Sequence, residues 1–423
     1  MLEKLYELIS KSNYKLAIKI NDFVVNIRCN YFFRWIKFKK ISNTFKRDNY
    51  IYIDVTESTE HFGGAGTFRV VKNISQNILF RKDIVFVRNF LGKIITNKKF
   101  VNKIINNVKF CTEENVELLN TNKILILDVI PQYAIQYKKI LEHANKKGVK
   151  TYSFLHDLFA IEYPEWFGSR HFSDIFKEYV DIILENSACI ICNSKTTAYN
   201  VANYYKKQGI IRHRPLEVFF IHMGVTQSRC KIAYNLLNRD IVEFVKKGYT
   251  FLMVGTIEPR KNYEYVIKNF KKLNNEKIKY QLLIIGRRGW HCEKITKAIE
   301  NAEISGVYWV DNASDDELYW SYNNCEALIA ASKDEGFGLP LIEAAMHNMP
   351  LICNDIPVFR EVAGDSAMYF DVNREYSLLD LLNRLDNNVL LKKPDIKLYN
   401  WEESSKELLR ILDDQAEPLY VLN

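Results

Sequence analysis

Short apolar runs separated by helical periods recur along this chain, and few architectures accommodate them. "IYIDV" (51–55), "IVFV" (84–87), "ILILD" (124–128), "TYSFL" (151–155), "CIIC" (189–192) and "EVFFI" (217–221) are β-branched or aromatic and mostly apolar throughout. Such runs mark strands buried on both faces, as in a parallel sheet. After a glycine turn at 63–66, the spacing of Val70, Val71, Ile74 and Ile78 predicts a helix. A second series follows with "FLMVG" (251–255), "QLLIIG" (281–286), "VYWV" (307–310), "ALIAA" (327–331) and "LIC" (351–353). Its first helix shows Tyr263, Val266, Ile267, Phe270 and Leu273 on one face. Strands alternating with helices mean βαβ units, so the expectation is α/β, with two successive Rossmann-like domains and a cleft between them. The polar, less regular segment at 225–248 reads as the linker. The last helix, around "WEESSKELLRIL" (401–412), has no strand after it and is expected to dock back on the first half. The boundaries drawn are an N-terminal extension at 1–48, a first domain at 49–225, a second at 226–400, and a returning helix at 401–423.

At 423 residues the chain exceeds one ordinary core, which agrees with two domains. Its charge is uneven. Of a formal +8, residues 1–50 supply eleven Lys/Arg against four Asp/Glu, or 11 − 4 = +7. The remainder is close to neutral, which excludes a nucleic-acid binder with a basic footprint on its folded body. The basic segment includes "NYFFRWIKFKK" (30–40), where aromatics alternate with cations. It reads as an interfacial helix on an anionic leaflet, or as an amphipathic helix packed on its own domain with a solvated basic face. A secretory signal is not expected, and no run approaches the roughly 18 apolar residues of a spanning helix. Of eight cysteines, only Cys189 and Cys192 are close, and no second ligand pair accompanies them. They read as reduced core thiols of a cytosolic protein.

Four segments fall just past predicted strands, where open parallel sheets bind ligands. "GGAG" (63–66) would let backbone N–H groups approach an anion at a helix start, although it matches neither the dinucleotide nor the P-loop fingerprint. "HDLFAIEYPE" (156–165) puts His156 at a strand end, facing the cleft. "VGTIEPRKN" (254–262) carries the adjacent cations Arg260 and Lys261, with Asn262 as a helix cap. Arg can grip two phosphate oxygens and Lys supplies a mobile point charge. "KDEGFGLPLIEAA" (333–345) holds Glu335 in a loop and Glu343 within the first turns of a helix begun by Leu339 or Pro340, with an exposed-looking Phe337 between two glycines.

At these residues the chain resembles the retaining GT-B glycosyltransferases of family four. The resemblance rests on "VGTIEPRKN", on "EGFGLPLIEAA" with its E-x7-E spacing, on "DIPVFREVAGDSA" (355–367) and on "HDLFAIEYPE". "TESTEHFGGAGTFRVV" is similar to the N-terminal segment of bacterial mannosyltransferase-like members that build O-antigen and capsule chains. Together these cover roughly residues 50 to 415. The resemblance implies a catalytic set of Glu335, Arg260, Lys261 and His156. Arg260 and Lys261 would neutralise the diphosphate of a nucleotide-sugar as it leaves. Glu335 would touch the transferred sugar, Glu343 the ribose diol, and His156 the sugar from across the cleft. Gly66, Thr256, Gly336, Phe337, Gly338 and Leu339 complete the implied donor-binding set, and Arg69 and Asp157 are the acceptor candidates. Three positions depart from the family pattern. Thr256 stands near where many members have an additional Arg, which leaves that phosphate contact missing or supplied by Arg260. Met349 replaces a Gly, and "AAS" (330–332) replaces Tyr-Pro-Ser.

No D-x-D sequence occurs, which fits the metal-independent mode of this fold, with no metal and no cofactor. The implied reaction moves mannose from GDP-mannose, or a sugar from a UDP- or dTDP-donor, to a glycan or lipid-linked glycan at the inner leaflet. That setting is cytoplasmic or peripheral on the plasma membrane. Two other classes compete. A glycosidase would need Glu335 and Glu343 on opposite sides of the scissile bond, which residues joined by a short loop and a helix turn do not satisfy. A silent nucleotide-binding scaffold would have no need of His156, Arg260, Lys261, Glu335 and Glu343 together.

Overall fold

A computed structural model of the chain describes residues 44–56, 66–90, 93–96, 114–167, 170–226, 237–274, 280–385 and 391–423. The aromatic-basic stretch at 30–40, most of the 1–48 extension and the glycines at 63–64 lie outside the described residues. Two compact units emerge: one runs to His222 and resumes at Trp401–Asn423, and the other spans Met223–Asn400.

The first unit is built on a ten-stranded sheet. Its strands are β1 (Thr44–Phe45), β2 (Ile51–Asp54), β3 (Ile84–Phe90), β4 (Lys93–Thr96), β5 (Glu114–Val116), β6 (Lys123–Ile126), β7 (Lys150–Leu155), β8 (Cys189–Cys192) and β9 (Leu216–Phe220), closed by a C-terminal strand at Tyr420–Leu422. The order is β1-β5-β4-β3-β2-β6-β7-β8-β9 and then the C-terminal strand. From β3 to β9 every neighbour is parallel. Chain order reverses between β2 and β6, the switch point of a doubly wound sheet. The six runs expected as buried strands all form, and β2 and β8 are buried at every position. The helix Gly66–Ile78 begins at the last glycine of its turn and buries Val70, Val71, Ile74 and Ile78.

Two expectations fail in this unit. The sheet is mixed, because β4 runs antiparallel to both β3 and β5. The helix Trp401–Leu412 does have a strand after it, since Tyr420–Leu422 pairs antiparallel with β9. That strand is three residues long with its middle residue exposed, too short and too irregular to register as an apolar run. Ion pairs reinforce the return of the chain. Arg81 binds Asp413 at 2.8 Å, and Asp414 receives Lys123 at 2.6 Å and Lys150 at 2.8 Å.

The second unit has a two-stranded ladder of β10 (Gly224–Val225) with β17 (Tyr399–Asn400) and a six-stranded sheet. The sheet's strands are β11 (Thr250–Val254), β12 (Gln281–Ile285), β13 (Val307–Val310), β14 (Ala327–Ala330), β15 (Leu351–Asn354) and β16 (Ala367–Phe370), in the order β13-β12-β11-β14-β15-β16 and wholly parallel. Successive side chains feed opposite layers. Phe251, Met253, Leu282 and Ile284 join one core cluster, while Leu252, Leu283 and Ile285 join the other. Leu252 is fully buried between the sheet and its covering helices. Leu252→Ala is therefore expected to cost about 2–5 kcal/mol, read as a lowered urea midpoint. The segment expected as a linker is partly helical, because Arg239–Lys246 forms a helix that buries Ile241 and Val245. Val242 and Phe244 pack against the same core, but the helix is only eight residues long, too short for its period to stand out in the sequence.

Candidate active site

The order of the second sheet brings β11 and β14 side by side at the point where strand order reverses. The carboxyl ends of that strand pair are where doubly wound sheets hold ligands. "VGTIEPRKN" leaves β11 and "KDEGFGLPLIEAA" follows β14. The two site segments thus become neighbours although 74 residues separate Lys261 from Glu335.

Gly255 begins the first segment with φ of 150°, and a Cβ there would meet Lys261 Cε at 3.1 Å. Its N–H donates to the Ile285 carbonyl at 3.0 Å, and its own carbonyl accepts from the Tyr263 hydroxyl at 2.7 Å. Glycine therefore lets the lysine stem lie over the backbone. Pro259–Lys261 then form a single 3₁₀ turn ending at Asn262, whose φ is 58°. Asn262 occupies the N-cap position of the helix Tyr263–Leu273, but its side chain makes no capping bond. Its function here is conformational: an abrupt turn-to-helix junction requires a left-handed residue, and Asn tolerates that region.

The second segment is tied to the first through its backbone. Lys333 N–H donates to the Arg260 carbonyl at 2.9 Å, and Arg260 Nη1 donates to the Asp334 carbonyl at 3.0 Å. Glu335 is the focus. Its Oε1 takes Lys261 Nζ at 2.5 Å and Ser332 Oγ at 2.8 Å, and its Oε2 takes Arg260 Nη1 at 2.5 Å. Arg260 Nη2 meanwhile donates to Glu258 Oε1 at 2.6 Å. The four charged groups are nearly enclosed, with side-chain exposures of 16% for Arg260, 14% for Lys261, 9% for Glu335 and 2% for Glu258. Asn354 steadies the loop by donating to the Ser332 carbonyl at 2.9 Å.

Burial alone would raise the Glu335 carboxyl, but Arg260 and Lys261 outweigh it and hold it down to about 2. A carboxyl held below its unfolded value of 4.5 stabilises the fold above that pH, and this contribution is lost as pH falls from 4.5 toward 2. The stability advantage of the native chain over Glu335→Gln is therefore expected to shrink across that interval, measured by urea unfolding at stepped pH.

Gly336 to Leu339 form the turn between Glu335 and the helix Leu339–Met346, which has its proline in the first turn. Gly338 has φ of 96°, and a Cβ there would meet the Phe359 ring at 2.9 Å. Phe337 is buried, contrary to its exposed appearance in the sequence. Glu343 is buried too and accepts from the Tyr322 hydroxyl at 2.9 Å. Lys261, Ser332, Glu335, Gly338 and Pro340 line one recess together with the ends of β11 and β14. The structure thus joins Arg260, Lys261 and Glu335 in one cluster, with Gly338 on the same recess. Thr256 sits at the start of the β11 loop, with its Cγ2 2.6 Å from where a Cβ on Gly289 would lie.

The remaining candidates lie in the first unit. Gly66 is the exposed first residue of its helix, and Arg69 follows one turn later, its carbonyl accepting from Asn73 at 2.7 Å. His156 and Asp157 come directly after β7. Asp157 Oδ1 accepts the Phe159 N–H at 3.2 Å and so starts a short helix. His156 is buried with its ring centroid 4.8 Å from that of Phe154, and burial pulls it down to about 4, so the ring is neutral at pH 7. Cys189 and Cys192 are free, buried thiols pushed up by burial.

Several groups at these sites were not singled out in the sequence. Glu258 and Ser332 hold Arg260 and Glu335. Asp54 ends β2 buried, accepts from Thr56 and Tyr137 at 2.5 Å each, and is pushed by burial up to about 6. A signal was available for two of them: for Glu258 a carboxylate two residues before the Arg, and for Asp54 an acid closing an otherwise apolar strand.

The chain, with its two Rossmann-like α/β units, has the GT-B fold. The structure is similar to that of sucrose-phosphate synthase from Thermosynechococcus elongatus, with a TM-score of 0.57 at 14% identity, covering 87% of this chain and 99% of that one. Residues 236–395 match the family of glycosyl transferases group 1, a span that contains Arg260, Lys261, Glu335 and Glu343. Among curated proteins it is similar to the serotype-specific mannosyltransferase WbdA of Escherichia coli, 29% identical over 268 residues, 61% of this chain and 33% of WbdA. It is also similar to the O-antigen chain mannosyltransferase RfbU of Salmonella typhimurium, 28% identical over 297 residues, 64% of this chain and 77% of RfbU. The chain thus spans about a third of the length of WbdA.

Proposed function

We propose that this protein transfers a hexose from a nucleotide-sugar to a growing glycan, with retention of anomeric configuration and without a metal ion. The observation that carries this reading is the convergence of Arg260 and Lys261 on Glu335 at the switch point of the second sheet, beside a recess that Lys261 and Glu335 line. In such a transfer the bond from the sugar's anomeric carbon to the diphosphate breaks, and the electron pair leaves with the nucleoside diphosphate. A new bond then joins that carbon to an acceptor hydroxyl, which gives up its proton. Two enclosed cations meet the negative charge as it builds on the departing phosphate, where low polarity makes them effective. Glu335 balances them until the donor arrives, and its carboxylate is then free to accept from sugar hydroxyls. A carboxyl held down to about 2 is ionised at neutral pH, so it cannot donate the proton a glycosidase acid must supply.

The donor we favour is GDP-mannose, because the similar WbdA and RfbU are both mannosyltransferases. RfbU acts on O-antigen chains, which suggests a lipid-linked glycan acceptor, and the basic aromatic residues 1–48 suit an anionic membrane surface beside it. Among the described residues no helix is long and apolar enough to cross a membrane. The test is a thermal-stabilisation screen of GDP-, UDP- and dTDP-sugars, followed by linkage analysis of the product. A rise in melting temperature with GDP-mannose and a mannosylated product are expected. Stabilisation by no nucleotide-sugar would overturn the assignment.

A further inference from the structure

The loop that leaves β12, residues 286–291, is pinned along its length and carries an exposed indole near its tip. Gly286 donates its N–H to the Val310 carbonyl at 3.1 Å, and its own carbonyl accepts from Trp309 Nε1 at 2.8 Å. The Arg287 carbonyl accepts the Ile257 N–H at 2.8 Å, and the Gly289 N–H donates to the Ile257 carbonyl at 3.1 Å. Ile257 and Arg288 form a parallel bridge, and the Arg288 N–H donates to Asp311 Oδ1 at 3.0 Å. A Cβ on Gly286 would overlap the Gly255 carbonyl, so glycine is what lets this loop lie against the one leaving β11. On the far side, Cys292 is buried and its thiol donates to the Gly289 carbonyl at 3.3 Å. Between these anchors stand Trp290, 43% exposed, and His291, in the left-handed region with φ of 50°. A residue with a Cβ enters that region at a cost, and the surroundings must hold it there.

We propose that Trp290 is the stacking platform for the nucleobase of the donor. The inference deepens the glycosyl-transfer reading and rests on it. Arg260 and Lys261 lie just beyond Ile257, on the loop to which this one is bridged. The two loops leave neighbouring parallel strands, about 4.8 Å apart. A ribose separates the base of a nucleoside diphosphate from its phosphates. A donor whose diphosphate meets Lys261 therefore lays its base on an adjoining loop rather than on the cations themselves. Among the described residues of the second unit, the exposed large aromatics are Tyr249 and Trp290. Tyr249 precedes β11, at the amino edge of the sheet, whereas the recess lies at the carboxyl ends of β11 and β14. Trp290 follows β12 at the carboxyl edge, on the loop bridged to that of the cations. Every base offers a flat π-face to an aromatic ring, whatever its hydrogen-bonding edge. A platform whose backbone is fixed before the base arrives gives up little freedom on binding. Trp290 thus supplies affinity for the nucleotide and leaves the choice of sugar to other groups.

The test compares the full chain with Trp290→Ala and Trp290→Phe. Thermal stabilisation by GDP and by inorganic pyrophosphate is measured, with quenching of intrinsic fluorescence by GDP and kcat and KM for GDP-mannose. Should the nucleotide-sugar screen return another donor, that donor and its nucleoside diphosphate take their places. Trp290→Ala is expected to raise KM at least about tenfold, a loss that falls on KM rather than on kcat. It should also lose most of the stabilisation by GDP while keeping that by pyrophosphate. Trp290→Phe keeps a smaller ring and is expected to recover part of the KM, yet to lose the quenching that the native chain shows with GDP. Native KM together with native GDP stabilisation in Trp290→Ala would overturn the platform and leave glycosyl transfer intact. Equal loss with GDP and with pyrophosphate would also overturn it, by making Trp290 a prop for the β11 loop. Failure of the native chain to bind or turn over any nucleotide-sugar overturns the glycosyl-transfer reading, and the platform with it.

Discussion

Lys261→Ala is expected to lower turnover at least about a hundredfold while the second unit stays folded. The reasoning follows from what the lysine holds and what it leaves behind. Its ammonium is 14% exposed and bonds Glu335 at 2.5 Å. Without it, Glu335 still has Arg260 and Ser332, so no enclosed charge is abandoned. In the proposed transfer, what is lost is one of the two cations that would meet the departing diphosphate. Arg260 cannot replace it, because its guanidinium is already committed to Glu258, Glu335 and the Asp334 carbonyl. Lysine is the more mobile of the two, a point charge on a flexible stem, and is better suited to follow charge from ground state to transition state. Steady-state kinetics with a saturating donor, beside circular dichroism of the same samples, checks this. Near-normal kcat in a folded variant would remove Lys261 from the chemistry.

Glu335→Ala should have a comparable effect on turnover for a different reason. The carboxylate neutralises two cations that otherwise repel one another in a nearly closed recess, and it sets their spacing. Removing it leaves Arg260 and Lys261 unbalanced, so the substitution is expected to lower stability in the absence of donor as well as turnover. A nucleoside diphosphate brings negative charge to the same place, and stabilisation by GDP should therefore be larger in this variant than in the native chain. Turnover falling at least about a hundredfold with GDP binding retained or tightened is the expected pattern. A variant that turns over at the native rate would place Glu335 outside the reaction, as a structural counter-ion only.

Much of the fold was legible because parallel strands announce themselves. Runs such as "CIIC" and "VYWV" are apolar in succession and coincide with the observed strands. The features that escaped carry no such signature. The antiparallel strand Lys93–Thr96 is four residues long and begins on a lysine, and Tyr420–Leu422 is shorter still. The helix Arg239–Lys246 packs Ile241, Val242, Phe244 and Val245 on the core, but at eight residues it is short enough to pass for part of a linker. In the candidate site, the types and positions of Arg260, Lys261 and Glu335 were readable from the sequence. Their distribution of bonds was not, since it depends on β11 lying beside β14 and so bringing together residues 74 positions apart in sequence. Asn262 shows the same limit at short range. The residue type suits either a side-chain cap or a left-handed turn, and only the 3₁₀ turn before it selects the second.

The return of Trp401–Asn423 to the first unit makes that unit discontinuous in the chain, with the whole of Met223–Asn400 set within it. During synthesis the segment at 223–400 emerges as one continuous stretch and can complete its six-stranded sheet by itself. The first unit must wait with β9 unpaired on one side, and with Lys123 and Lys150 lacking Asp414, until residues 413–422 have left the ribosome. Domains ordinarily complete from the N-terminus onward. Here the order is inverted, and the segment at 223–400 can be finished before the unit that precedes it in the gene.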